Sequence, residues 1–589
     1  MTDPSAPYRD PSVPVEQRVE DLLGRMSLED KAGLMFHDMA MIGPGGTLME
    51  SGNLISRPAT AQAVRDLRMN HFNLLGSATS VRELVGWYNA LQEVAAGTPL
   101  GIPVSLSTDP RHAASQNPGT AALSGAFSTW PESLGFAALR DPELVERFAD
   151  IARQEYLAAG FRVALHPQVD LATEYRWARV GMTFGEDADL TSALVRAYVR
   201  GFQGERLGPE SVATMTKHFP GGGPQLDGED PHFGYGREQV YPGGQQEYHL
   251  APFRAALAAG TSQIMPYYGM PIGTAWEEVG FAFNRPVIAG LLREELGFDG
   301  IVCTDWGLLT DKTFAGEPMP ARAWGIEELT PAERLQRALD AGVDQFGGES
   351  CPELMLKLVR SGAVTEDRLD VSARRLLREK FVLGLFDADP LDLEHALATI
   401  GRQDFVAAGA AAQSAAITRL TAAGDGPAAL PLADGLAVYV EGFGTDAASR
   451  LGRLVPDPAD ADLAVLRLQA PFEPRLGRFE SFFHAGSLEY PPAELDRLLA
   501  VCAAVPTVVD LYLDRPAVVP ELAASAAAFL VNFGATDDAL IDVLTGRASA
   551  RGRLPFDLPS SMAAVRASRS DVPFDTAEPL FRFGDGLLD

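Results

Sequence analysis

Residues 297–307 read GFDGIVCTDWG: a turn, a short apolar run, then a carboxylate and an indole. The run is too short for a helix and ends on a charge that a buried strand interior rejects. It therefore reads as a strand that delivers Asp305 and Trp306 to one end of a sheet. Working outward, other runs end the same way. IPVSLST ends at Asp109, VALHPQV at Asp170, VATMT at Lys217 and His218, and SQIMP at Tyr267 and Tyr268.

Strands are expected near Leu34–His37, Phe72–Leu75, Pro103–Ser107, Arg162–Pro167, Val212–His218, Gln263–Tyr267, Gly300–Asp305 and Gly342–Phe346. Between most of them apolar residues recur at helical spacing, as in Pro142–Ala159, Leu190–Gln203, Gln246–Ala259, Pro286–Glu295 and Pro331–Ala341. Repeated βα units predict a parallel sheet, and about eight of them predict a (β/α)8 barrel with its active face at the carboxyl ends of the strands. A helix over Arg368–Lys380 closes this region. The piece TAAGDGPAALPL (421–432) reads as a linker. Beyond it GLAVYVEGF, LAVLRLQA, TVVDLYL and AAFLVNFG predict a second α/β layer sandwich. The expected division is a barrel over 1–390, a connecting segment over 391–432 and a sandwich with its tail over 433–589.

The chain has 589 residues, with 79 acidic and 49 basic ones, a formal net charge of −30. That balance argues against nucleic acid and anionic membrane surfaces as partners. Transmembrane-length apolar runs and the basic-then-apolar start of a signal peptide are not found, so a cytoplasmic protein is expected. A homo-oligomer is left open. The three cysteines lack CxxC spacing and the nine histidines form no HxxxH or HExxH pair, so no metal is expected. GxSxG, Walker A and GxGxxG motifs are absent, and no organic cofactor is expected.

A carboxylate beside an aromatic platform suits sugar chemistry, since a pyranose stacks on the ring while the carboxylate reaches the anomeric carbon. The plain alternative is an aspartate capping the next helix. TMTKHFPGGG places two donors before a glycine turn, and Arg176 with Trp177 lies in the loop PQVDLATEYRWARVGMTFGED.

Together GIVCTDWG, KHFPGGG, VDLATEYRWAR with FGED, RRLLREKFVLGLFD, AAQSAAITRL, GRLPFDLP and FRFGDGL resemble glycoside hydrolase family 3, in order and over almost the whole chain. The resemblance implies a (β/α)8 barrel followed by an (α/β)6 sandwich, of the two-domain type. It implies a retaining, exo-acting β-glycosidase, a β-glucosidase first, acting on a small β-glycoside or oligosaccharide without cofactor. It assigns Asp305 as nucleophile and Asp109, Arg176, Lys217, His218, Tyr268 and Trp306 to the sugar. The family's PRWGR reads YRWAR here, and its SDW reads TDW. The acid/base of two-domain members is a Glu on a sandwich loop, here Glu473 with Glu480 in reserve. A branch acting on N-acetylglucosaminides instead uses an Asp-x-His dyad after KHFPG, and Asp230 with His232 offers one. β-N-acetylhexosaminidase, phosphorylase-like, β-xylosidase and non-catalytic sugar-binding readings stay open beside the first.

Overall fold

The computed structural model describes residues 5–49, 58–76, 80–114, 125–424 and 426–588. Eight strands form one parallel sheet: β1 (Phe36–Ala40), β2 (His71–Leu74), β3 (Ser105–Thr108), β4 (Phe161–Ala164), β5 (Ala213–Phe219), β6 (Gln263–Pro266), β7 (Ile301–Val302) and β8 (Phe346–Gly347). Each pairs with its neighbour in chain order, and β8 returns to β1 with Phe346 opposite Phe36. A bridge between Cys303 and Gln345 joins β7 to β8, so the sheet closes into a barrel.

Local chemistry sets most of the boundaries. Pro142–Ala159 starts with Asp141 accepting the Leu144 N–H and Pro142 in the first turn, and it stops at Gly160 in the left-handed region (φ 85°). The first strand starts two residues later than the apolar run suggests. Ser27 and Asp30 form a capping box, and the helix they nucleate carries Leu34 to its end. The eighth starts at Phe346 because Gly342 (φ 110°) caps the preceding helix. Pro286–Glu295 is wound as a π-helix. Strand β7 is only two residues long, which leaves Asp305 on the loop beyond it.

The second domain is a six-stranded sheet: β9 (Thr418–Thr421), β10 (Ala437–Glu441), β11 (Arg453–Leu454), β12 (Leu463–Gln469), β13 (Thr507–Tyr512) and β14 (Ala528–Asn532), in the order β9-β14-β13-β12-β10-β11. All pairs are parallel except β9–β14. In β12, Leu463 and Val465 pack on one face while Ala464 and Leu466 join the core shared with the barrel. Burial on both faces is why this strand reads as an unbroken apolar run. The segment expected to be a connector is structured. Gln403–Ala416 is a helix, since alanine is the best helix former, and β9 lies inside the stretch assigned to connector and linker.

The two domains face each other at the carboxyl ends of their strands. Tyr512 Oη donates to Glu132 Oε1 (2.8 Å), and Arg515 Nη1 to the Arg176 carbonyl (2.9 Å). The tail returns to the barrel, where Asp571 accepts from the N–H groups of Gly243 (2.7 Å) and Gln245 (2.8 Å). Among the described residues no helix is long and apolar enough to cross a membrane.

Candidate active site

A cavity of about 380 Å³ opens at the carboxyl face of the barrel, and Asp305 lines it. Asp305 Oδ1 accepts the Trp306 N–H (2.8 Å). Its Oδ2 is buried, has no hydrogen-bond partner among the described residues and lies 3.7 Å from His218 Nε2. A carboxylate oxygen held this way is positioned yet free to bond to an incoming atom.

The strand ends arrange the polar groups. Asp109, just beyond β3, is held through both oxygens, by Lys217 Nζ (3.2 Å) and Asn73 Nδ2 (2.9 Å). His218, on β5, directs Nδ1 at Asp170 Oδ2 (2.7 Å). The same carboxylate accepts the N–H groups of His218 (3.2 Å) and Gly222 (2.6 Å). This explains the glycines of KHFPGGG: a Cβ at Gly222 would stand 2.8 Å from the Tyr267 ring and 3.2 Å from Asp170. Burial pushes the Asp170 carboxyl up to about 6 against those donors. Burial likewise drives the His218 ring well below its usual value, with Arg179 and Lys217 adding to it, so the ring is neutral.

Tyr268, not Tyr267, lines the cavity, and its hydroxyl bonds to the Trp306 carbonyl (2.8 Å) and N–H (2.9 Å). The Trp306 indole lies against Gly347 and Gly348 at the end of β8, where a Cβ on either would come within 2.6 Å of it. Tyr267 lies against His218 instead, with ring centroids 4.5 Å apart and planes tilted by 38°.

Other sequence-selected residues fall differently. Arg176 lies outside the cavity lining, with its guanidinium on Glu174 (2.8 and 2.9 Å). Arg179, three residues on, is buried in the lining and donates to Gln168 Oε1 (3.0 Å). Glu473 pairs by its backbone with Ala485 (2.9 Å) and is exposed, and Glu480 accepts from Tyr235 Oη (2.8 Å). Neither lines the cavity; Phe479 and Phe482 of the same loop do.

His232 also lines it. Asp230 Oδ1 holds its Nδ1 (2.6 Å), while Trp177 Nε1 fixes Asp230 Oδ2 (3.0 Å). Nε2 of His232 has no protein hydrogen-bond partner among the described residues. Burial is the largest influence on both groups. It takes His232 below its usual value although Asp230 opposes it, while Asp230 stays below the usual carboxylate range because the His232 ring and Arg179 outweigh burial. Among the described residues no three His, Cys, Asp or Glu side chains converge as metal ligands would.

Two family models match the chain, the glycosyl hydrolase family 3 N-terminal domain over residues 56–379 and the family 3 C-terminal domain over 324–588. The chain belongs to glycosyl hydrolase family 3. It is 52% identical over 587 residues to "Beta-glucosidase C" of Emericella nidulans, covering 98% of this chain and 93% of that protein. It is 39% identical over 602 residues to the "Periplasmic beta-glucosidase/beta-xylosidase" of Dickeya chrysanthemi, covering 99% and 91%. In fold it resembles a β-glucosidase from Erythrobacter marinus (TM-score 0.80, 22% identity, 100% of this chain and 84% of that one). A β-glucosidase from Listeria innocua solved with isofagomine is also similar (TM-score 0.73, 22% identity, 97% and 83%).

Within this family 3 chain, Asn73, Arg179, Arg322, Phe479 and Phe482 line the site without having been singled out from sequence. Two signals were present. RWAR holds two arginines three apart, and GRFESFF surrounds its carboxylate with aromatic rings.

Proposed function

We propose that this chain is a retaining β-glucosidase that releases the terminal non-reducing glucosyl unit of small β-glucosides. The observation that carries the reading is the buried Oδ2 of Asp305, without a hydrogen-bond partner among the described residues, inside a cavity whose inner wall includes Asp109, Lys217, His218 and Arg179. Full-length similarity to proteins named β-glucosidases agrees with it.

In the first step the bond from Asp305 Oδ2 to the anomeric carbon forms as the bond to the leaving oxygen breaks. Lys217, Arg179 and neutral His218 hold sugar hydroxyls around that carboxylate. For the proton we assign His232 rather than Glu473 or Glu480, because only His232 of the three lines the cavity. The imidazolium form of His232 gives its Nε2 proton to the departing oxygen, and the neutral ring then takes a proton from the water that releases the sugar, which restores the imidazolium. Ionised Asp230 holds Nδ1–H and stabilises the imidazolium, the role of the carboxylate in any His–Asp pair.

The test is a screen of nitrophenyl β-glycosides of glucose, xylose and N-acetylglucosamine, with the first-formed anomer followed by NMR. Glucose released as the β-anomer is expected. An α-anomer, or faster cleavage of the N-acetylglucosaminide, overturns the reading.

A further inference from the structure

The cavity has two unlike ends. Its inner residues are polar and buried, among them Lys217, His218, Arg179 and Asp305. On the solvent side it is lined by half-buried apolar groups: Phe314 and Met319 from the hairpin Lys312–Phe314/Glu317–Met319, and Phe479 and Phe482 from the sandwich loop after β12. Phe314 meets Phe479 at 5.4 Å and Phe482 at 6.1 Å, both edge-on. Trp306 stands between the two ends.

This rim is fastened rather than loose. Arg475 pairs with Glu229 (2.7 Å), the Arg478 N–H bonds Glu317 Oε2 (2.8 Å), and Tyr235 Oη bonds Glu480 Oε1 (2.8 Å). Its cations are also engaged. Arg322 donates to the carbonyls of His232 (3.1 Å) and Trp306 (2.9 Å) and to Met319 Sδ (3.3 Å), with its guanidinium over Tyr268 and Phe479. Lys312 Nζ lies 3.5 Å from Glu349. A second sugar placed here could stack one apolar face on these rings, but among the described residues the rim's cations are already engaged, so its hydroxyls would lose water with little to replace it. A flat apolar ring would lose nothing and gain aromatic contacts.

We propose that the outer half of the cavity selects an apolar, ring-bearing aglycone over a second sugar. The inference rests on the glucoside reading above and names the other half of the substrate: an aryl or arylalkyl β-glucoside.

The test compares benzyl β-D-glucoside, methyl β-D-glucoside and cellobiose, all with alcohol leaving groups, so that aglycone binding rather than leaving-group acidity decides the order. For the wild-type chain kcat/KM for the benzyl glucoside is expected to exceed that for cellobiose by about tenfold or more, a size typical of filling or emptying an apolar pocket. In Phe314→Ala/Phe479→Ala the benzyl-to-methyl ratio is expected to fall about tenfold, mainly through KM. Phe479→Leu keeps most of the preference and guards against a rim that simply collapses. Cellobiose cleaved as well as the benzyl glucoside by the wild type overturns the inference while leaving the glucosidase reading intact. So does a double variant that loses both glucosides equally. Absence of turnover with all three overturns the glucosidase reading and the inference with it.

Discussion

Two histidine–aspartate pairs belong to this site, and they differ in what surrounds them. In the His218–Asp170 pair the ring is 1% exposed, its Nδ1 is on the carboxylate and its Nε2 faces Asp305 at 3.7 Å. In the His232–Asp230 pair the ring is 9% exposed, and Nε2 opens on the cavity. The first carboxyl is pushed up by burial, while the second is held below its usual value by the adjacent ring and Arg179. On the function proposed above, the same two residue types give a fixed sugar-orienting group in one place and a proton carrier in the other. The difference is the nitrogen left unoccupied.

In the proposed mechanism both pairs serve the chemistry at Asp305, so the largest break is its removal. Asp305→Asn is expected to lower kcat by about 10⁴-fold or more, the scale of losing a covalent nucleophile. In the wild type, a 2-fluoroglucoside should label the peptide around Cys303–Gly307, as read by mass spectrometry.

Next comes the proton carrier. His232→Ala is expected to lose about 10²–10⁴-fold on methyl β-glucoside, the usual range for general acid catalysis. It should lose far less on a dinitrophenyl glucoside, whose leaving group needs no proton, and added azide should yield a glucosyl azide. Glu473→Ala should change neither substrate by more than about threefold, as befits an exposed carboxylate outside the cavity. The opposite pattern, with azide products from Glu473→Ala only, assigns the proton to the sandwich.

The fixed pair gives a smaller, leaving-group-independent effect. His218→Ala is expected to cost about 10–100-fold in kcat/KM on aryl and alkyl glucosides alike, the scale of losing a buried hydrogen bond. Its partner supplies a pH signature. With a folded-state value of about 6 against an ordinary 3.8, Asp170 is ionised above about 6 and gains a proton as pH falls through that value. Its grip on His218 then weakens, so KM should rise on the acid side of 6. Asp170→Asn should remove that limb from the KM profile. Smallest of all, Glu480→Ala removes one rim contact to Tyr235 and should alter kcat/KM by less than about threefold, in keeping with the small worth of a single exposed hydrogen bond.

Much of this was legible from local pattern. Strand spacing, the helices between strands and a polar residue closing each run follow from burial and periodicity within a dozen residues. That is enough to place Asp109, Lys217, His218, Tyr268, Asp305 and Trp306 at one end of a barrel. Choices among near neighbours were not legible. Arg176 and Arg179 sit in an irregular loop, where no 2.0 or 3.6 period tells which side chain faces the sheet. Packing turns Arg176 to Glu174 and Arg179 to the cavity. Strand β9 exists through its antiparallel partner β14, more than a hundred residues away. The sandwich loop sends Phe479 and Phe482 to the cavity and leaves Glu473 outside because Arg475, Arg478 and Glu480 fasten it to the barrel. Local sequence determined the sheet and the place of Asp305 at its end, since short-range sterics and burial decide them, while the resemblance to family 3 implies its role as nucleophile. Which neighbours reach that nucleophile was decided by contacts between distant segments, which only the packed chain brings together.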